Sequence, residues 1–105
     1  MNEGQKWEPY LQQVRANTQN DHEAFFNLAY LLAEKLRFPL QANWLGKDVL
    51  VTAVNLTYSS HSHGLKVDVA DSREPLPVEE LTFTDPDQIS ANWIAFYHYW
   101  RKEIN

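Results

Sequence analysis

The residues best suited to chemistry stand in "TYSSHSHGLKV", Thr57 to Val67, where His61 and His63 flank one serine and precede a glycine. Imidazoles two apart on an extended segment point the same way and could both meet a transition-metal ion. A zinc site, however, takes three or four ligands in tetrahedral array. His22 and His98 belong to other segments, and no third ligand is local. Ser59, Ser60, Ser62 and Gly64 around the pair are loop formers, so the spacing favours a solvated hairpin tip over a metal site.

The carboxylates are a second pool. Asp68, Asp71, Glu74, Glu79, Glu80, Asp85 and Asp87 all follow the hairpin. A hard cation such as calcium takes roughly six to eight oxygen ligands from residues of this kind. An EF-hand is excluded by spacing. Counted from Asp85, Asp87 fits the third position, but Ile89 and Ser90 stand where an oxygen ligand and the turn glycine belong, and Phe96 replaces the closing glutamate. By spacing alone, a charged face with a helix cap is the simpler reading.

Catalytic signatures are missing from the sequence. It holds no G-x-S-x-G, no H-E-x-x-H and no G-x-x-x-x-G-K-[ST], and three glycines in all cannot build a phosphate-cradling loop. Glu79 and Glu80 are adjacent, and neighbours on a strand point to opposite faces, which spoils them as an acid/base pair. The expectation is a protein that is not an enzyme.

Bulk composition narrows the partners. Nine Lys and Arg against fourteen Asp and Glu give a formal charge of -5, with the basic residues scattered. Nucleic-acid binders draw most of their affinity from clustered positive charge on phosphates, so that partner class is disfavoured. A chain of 105 residues, 44% hydrophobic, is long enough for one core and is expected to form one domain, residues 1–105. Without cysteine it must hold by packing alone, which suits a reducing cytoplasm. No charged-then-apolar leader opens it, and its apolar runs fall far short of the ~20 residues that cross a bilayer. A cytoplasmic protein with no membrane partner is expected, and its oligomeric state is open.

The elements that must position these groups are legible as periodicity. Trp7, Tyr10, Leu11 and Val14 predict a short helix with Pro9 in its first turn. Asn20 with Glu23 forms a capping box ahead of Phe25, Leu28, Ala29, Leu32 and Leu36, a second helix. Phe38-Pro39 ends it and a strand follows from Leu40. Gly46-Lys47-Asp48 reads as a turn, Val49–Tyr58 as a β-branched strand, and Leu65, Val67 and Val69 as the inward side of another. "PLPVEELTF" holds only a broken edge strand, because Pro75 and Pro77 cannot donate to a ladder. Asp85 as N-cap, Pro86 at the first position and Gln88 in a capping box then start a closing helix to about Lys102.

That helix carries Ile89, Trp93, Phe96, Tyr97 and Trp100 at helical spacing. Trp93, Phe96 and Trp100 are expected in the core, with Tyr97 and Tyr99 on its rim. The sum is an α+β fold: a small curved antiparallel sheet or SH3-like barrel of about four strands, with two N-terminal helices and one C-terminal helix.

Four pieces of the chain resemble the small cyanobacterial-type CcbP-like calcium-binding proteins. "LRFPLQA", Leu36 to Ala42, is similar to that family's L-x-F-P-F-x-A junction, and "KDVLVTAVNL" to its long second strand. "GLKVDV" with "EPLPVEEL" resembles its third strand and proline-leucine step, and "NWIAFYHYW" its closing tryptophan segment. The resemblance implies a small mixed α/β fold with a curved sheet, a cytoplasmic location and calcium buffering or sensing by surface carboxylates. It makes Asp68, Asp71, Glu79, Glu80, Asp85 and Asp87 the ligand candidates. Two departures stand out. Ser90, Ala91 and Asn92 replace acids expected before the tryptophan segment, which lowers the expected affinity, and the N-terminal helix pair has no counterpart in the pattern. The alternative is a protein-binding module or inhibitor, of the immunity or phage-encoded type, whose acidic and aromatic surface covers a basic partner through Tyr97 or Tyr99.

Overall fold

Helical periodicity at both ends of the chain and β-branched runs between them become three helices and five strands in a computed structural model, which describes residues 3–103. Helix α1 spans Glu3–Arg15 and buries Trp7, Leu11 and Val14. It begins earlier than its apolar stripe suggests, so Pro9 lies in the helix interior and not in the first turn. Asn17 takes a left-handed conformation, φ 62°, just past its end. Asn27 from the next helix closes this terminus, donating to the carbonyls of Gln13 (3.0 Å) and Val14 (2.6 Å).

Helix α2, Asp21–Lys35, starts where its capping box predicts. The Asn20 Oδ1 accepts from Glu23 N at 2.9 Å, and the Asn20 amide donates to the Glu23 carboxylate at 3.2 Å. Phe25, Leu28, Ala29 and Leu32 form its buried face. Strand β1, Leu40–Trp44, then pairs antiparallel with β2, Lys47–Ser60. The turn between them is Leu45-Gly46, one step earlier than expected. Both residues have positive φ (51° and 88°), the twist that closes a two-residue hairpin, and Gly46 N donates to Asn43 Oδ1 at 3.0 Å. Lys47 and Asp48 therefore belong to the strand.

Strand β2 is fourteen residues long and cannot stay straight. Its register against β3, Gly64–Val69, shifts between Val51 and Ala53 and again between Asn55 and Ser60, and such bulges bend and twist a strand. Ser59, buried at the second shift, bridges it: its hydroxyl donates to Asn55 O (2.7 Å) and accepts from Lys66 N (2.9 Å).

The proline-rich segment departs from the expectation of one broken strand. It splits into β4, Leu76–Pro77, a 3-10 turn, Val78–Glu80, and β5, Leu81–Phe83. Strand β4 pairs with β3 and β5 pairs with β1, giving the order β4-β3-β2-β1-β5 and five strands instead of about four. Three residues thus join opposite edges of the sheet. Four residue steps reach at most about 14 Å, whereas five flat strands would hold their edges about 19 Å apart. The sheet has to curl, and the expected small curved antiparallel sheet is what forms.

Helix α3, Gln88–Glu103, and helix α2 pack together, and α2 also lies against β2. Phe96 and Trp100 are wholly buried and Trp93 nearly so, as the stripe predicts. Two residues of that stripe differ. Tyr97 is buried rather than on the rim, and Ile89 is 46% exposed rather than inward. The reason for the second is the helix start. Asp87, not Asp85, is the N-cap, with its carbonyl accepting from Ala91 N (2.8 Å) and its carboxylate from Ser90 N (3.0 Å). That leaves Ile89 in the first turn, beyond the sheet's reach, and leaves Asp85 outside the helix with φ 48°.

Candidate functional site

The carboxylates singled out by sequence are spread over several elements, with Glu79 and Glu80 sharing the 3-10 turn. Asp68, on β3, accepts from the Asn55 amide across the sheet at 2.8 Å. Glu79, in the 3-10 turn, accepts from the Tyr97 hydroxyl (3.1 Å) and pairs with Arg101 Nε at 3.2 Å. Its neighbour Glu80 turns the other way and accepts from Trp44 Nε1 at 2.9 Å. Asp87 caps α3 and lies 3.9 Å from Arg37 Nε. The Ser90 N–H, then the Ser90 hydroxyl, and more weakly the Arg37 charge hold its carboxyl below the usual carboxylate value. Asp71 and Asp85 are exposed, both at positive φ.

The six do not form one cage. Among the described residues no three His, Asp or Glu side chains stand close enough to hold a metal ion. Asp68, Glu79, Glu80 and Asp87 instead each serve a bond within the fold.

Asp71 has a different setting. It lines an open cleft of about 680 Å³ between the β1–β2 hairpin and the β3–β4 connection. Asp48 lines the same cleft, with Gln41, Ser72 and Thr84 as neutral oxygen donors and Lys47 as the one cation. Sequence reasoning passed over Asp48 by reading it as turn chemistry; its place at the start of a strand was the missed signal. The donor set is chemically suited to calcium, with two carboxylates and neutral oxygens. It is short in number, so water has to complete any coordination shell there.

The histidines sit at the hairpin tip between β2 and β3, as their loop composition predicts. They do not point the same way. His63 is exposed, with Nδ1 2.9 Å from the Ser62 hydroxyl, whereas His61 is half-buried with its ring edge toward Trp100. His22, set aside in the sequence as belonging to another segment, has its ring centroid 5.8 Å from that of His61.

The two tyrosines expected at the rim offer less surface than the sequence suggests. Tyr97 cannot meet a partner, because its ring is buried and its hydroxyl accepts from Leu65 N at 2.8 Å. Tyr99 is half-buried against Trp7, with ring centroids 5.9 Å apart. Among the described helices none is long and apolar enough to cross a membrane.

A curled five-stranded antiparallel sheet with two helices before it and one after, and a carboxylate-bearing cleft at the mouth of its first hairpin, defines a small α+β class of domain. The chain belongs to the CcbP family, whose sequence profile, described as calcium binding, matches residues 11–101. The crystal structure of Anabaena CcbP superposes with a TM-score of 0.78 at 17% identity, covering 96% of this chain and 92% of that one. A second structure, a calcium-binding protein in the calcium-binding form, gives 0.66 at 14% identity, covering 97% and 96%. No curated protein sequence matches the chain significantly. Coverage this complete includes α2 and most of α1, so the N-terminal helices do have a counterpart in the family's structures, contrary to the expectation from short motifs.

Proposed function

We propose that the protein binds calcium weakly, through Asp48 and Asp71 in the cleft beside the first hairpin, and acts as a non-catalytic calcium buffer. Family membership supports the ion. The observation that carries the site is that these two carboxylates line one open cleft together with neutral oxygen donors, Asp48 held only by a long 3.5 Å bond from the Asn43 amide, while Asp68, Glu79 and Glu80 are engaged in the fold. Two carboxylates, with Lys47 opposing them, place the affinity with weak sites of about 10⁻⁴ to 10⁻³ M.

Calorimetric titration of tag-free, chelator-treated protein with calcium tests this. Wild type should show saturable heat, Asp48→Asn and Asp71→Asn should each weaken it severalfold, and Glu80→Gln should leave it unchanged. Calcium binding that survives the Asp48→Asn/Asp71→Asn double variant would reject the cleft, and no heat with wild type would reject the function.

A further inference from the structure

We propose that His22 and His61 form a site for a borderline transition-metal ion, Cu²⁺ ahead of Ni²⁺ and Zn²⁺, between the first turn of α2 and the β2–β3 tip. The fold brings together two imidazoles that are far apart in the chain. Their ring centroids are 5.8 Å apart with the planes at 57°. Two imidazoles on neighbouring positions of one tetragonal copper ion, each with a nitrogen about 2.0 Å from it, hold their centroids roughly 4.5 Å apart, and on a tetrahedral zinc ion roughly 5 Å. A small rotation of His22, which is exposed, closes that difference.

His61 is already positioned. Its ring stands edge-on to Phe25 (6.1 Å) and Trp100 (6.2 Å), and its carbonyl accepts from Arg101 Nη1 at 2.9 Å. Glu79 neutralises that guanidinium at 3.2 Å, which limits its repulsion of a second cation. His22 stands edge-on to Phe26 at 5.0 Å. Both rings rest on one aromatic wall; the half-buried His61 has little side-chain freedom left to lose on binding, while the exposed His22 keeps the freedom to turn toward it.

The ligand type selects the ion. Imidazole suits copper, nickel and zinc, whereas calcium prefers oxygen, so this site and the carboxylate cleft do not compete. Among the described residues no third His, Asp or Glu completes a group with the pair, so the remaining positions on the ion would fall to water. For a two-nitrogen site the divalent series places Cu²⁺ highest.

The test is a Cu²⁺ titration of the tag-free full chain, followed by tryptophan fluorescence, since a copper ion bound to His61 stands close enough to Trp100 to quench it. Electron paramagnetic resonance on the one-equivalent sample reports the nitrogen ligands. Wild type should saturate at one ion per chain with two nitrogens. His22→Gln and His61→Gln should each raise the half-saturation concentration at least about tenfold, the scale on which even outer partners of a metal alter affinity. His63→Gln and His98→Gln should match wild type. His22 is exposed, so its variant separates ligand loss from misfolding, which circular dichroism checks. Wild-type affinity in His22→Gln, loss in His63→Gln in its place, or no saturation at one equivalent would each overturn the site.

Discussion

Tyr97 shows how one hydroxyl can hold three elements. It accepts from the β3 backbone at Leu65 N and donates to Glu79 in the 3-10 turn, while its ring sits in α3. The aromatic periodicity of α3 was legible in the sequence, but not which tyrosine goes inward. Burial of a phenol needs polar partners, and those come from residues 18 and 32 positions away. Tyr97→Phe should cost about 1–3 kcal/mol in urea unfolding, because Leu65 N–H is left buried without its acceptor. Burial first, and the Glu79 charge as well, push the Tyr97 pKa above the usual tyrosine value. Above pH about 10 the unfolded chain releases a proton that the folded chain keeps, so this contribution is whole below that pH and lost as pH rises. Wild type should therefore lose stability more steeply than Tyr97→Phe between pH 9 and pH 11, measured by the urea midpoint. Equal slopes would mean that Tyr97 titrates freely. Ser90 makes the same point from the polar side. Read in sequence as a lost ligand, it is wholly buried and its hydroxyl accepts from Arg37 N at 2.9 Å, tying α3 to the end of α2.

The two hairpins use glycine for different reasons. Gly46 has φ 88° and open space where a Cβ would be, so it answers only to turn geometry. Gly64 has φ 86°, and a Cβ there would meet Glu79 Oε2 at 2.8 Å and the Tyr97 hydroxyl at 3.0 Å. Its hydrogen is what lets β3 start against the Tyr97–Glu79–Arg101 group. Gly46→Ala should cost about 1–2 kcal/mol for the left-handed backbone. Gly64→Ala should cost at least about 1 kcal/mol more, from the displaced hydrogen bonds. Equal losses in chemical denaturation would show that the contact is not felt. The elements themselves were readable where the signal is local, as in the Asn20 capping box or the stop at Phe38-Pro39. They were misread where two local signals compete. Asp85 and Asp87 both suit an N-cap; in the fold Asp87 accepts from Ser90 N and lies 3.9 Å from Arg37, while Asp85 stays outside the helix.

At the scale of the whole molecule, the curl of the sheet makes the cleft. Gln41 and Asp48 come from the first hairpin, Asp71 and Ser72 from the β3–β4 connection and Thr84 from the end of β5, and they face one space because three residues join the sheet's edges. Calcium held there binds the folded chain only, so it should raise the unfolding midpoint by mass action. Calcium at about 100 times the dissociation constant corresponds to about 2.7 kcal/mol. A thermal melt with calcium against magnesium at equal ionic strength checks this, and the rise should vanish in the Asp48→Asn/Asp71→Asn variant. A rise retained by that variant would place the ion elsewhere.

The sequence by itself determined the α+β class, the three helices, the curved antiparallel sheet and most of its core, because periodicity, capping and proline act over a few residues. It also carried enough short apolar motifs to suggest the family. Only the tertiary structure decided which groups come together: Asp48 and Asp71 on one cleft, His22 beside His61, and Tyr97 bonded to Glu79 and Leu65. Those pairings depend on register shifts in β2 and on the closing of the sheet's edges, which are set by packing across the whole chain and leave no mark at fixed spacing.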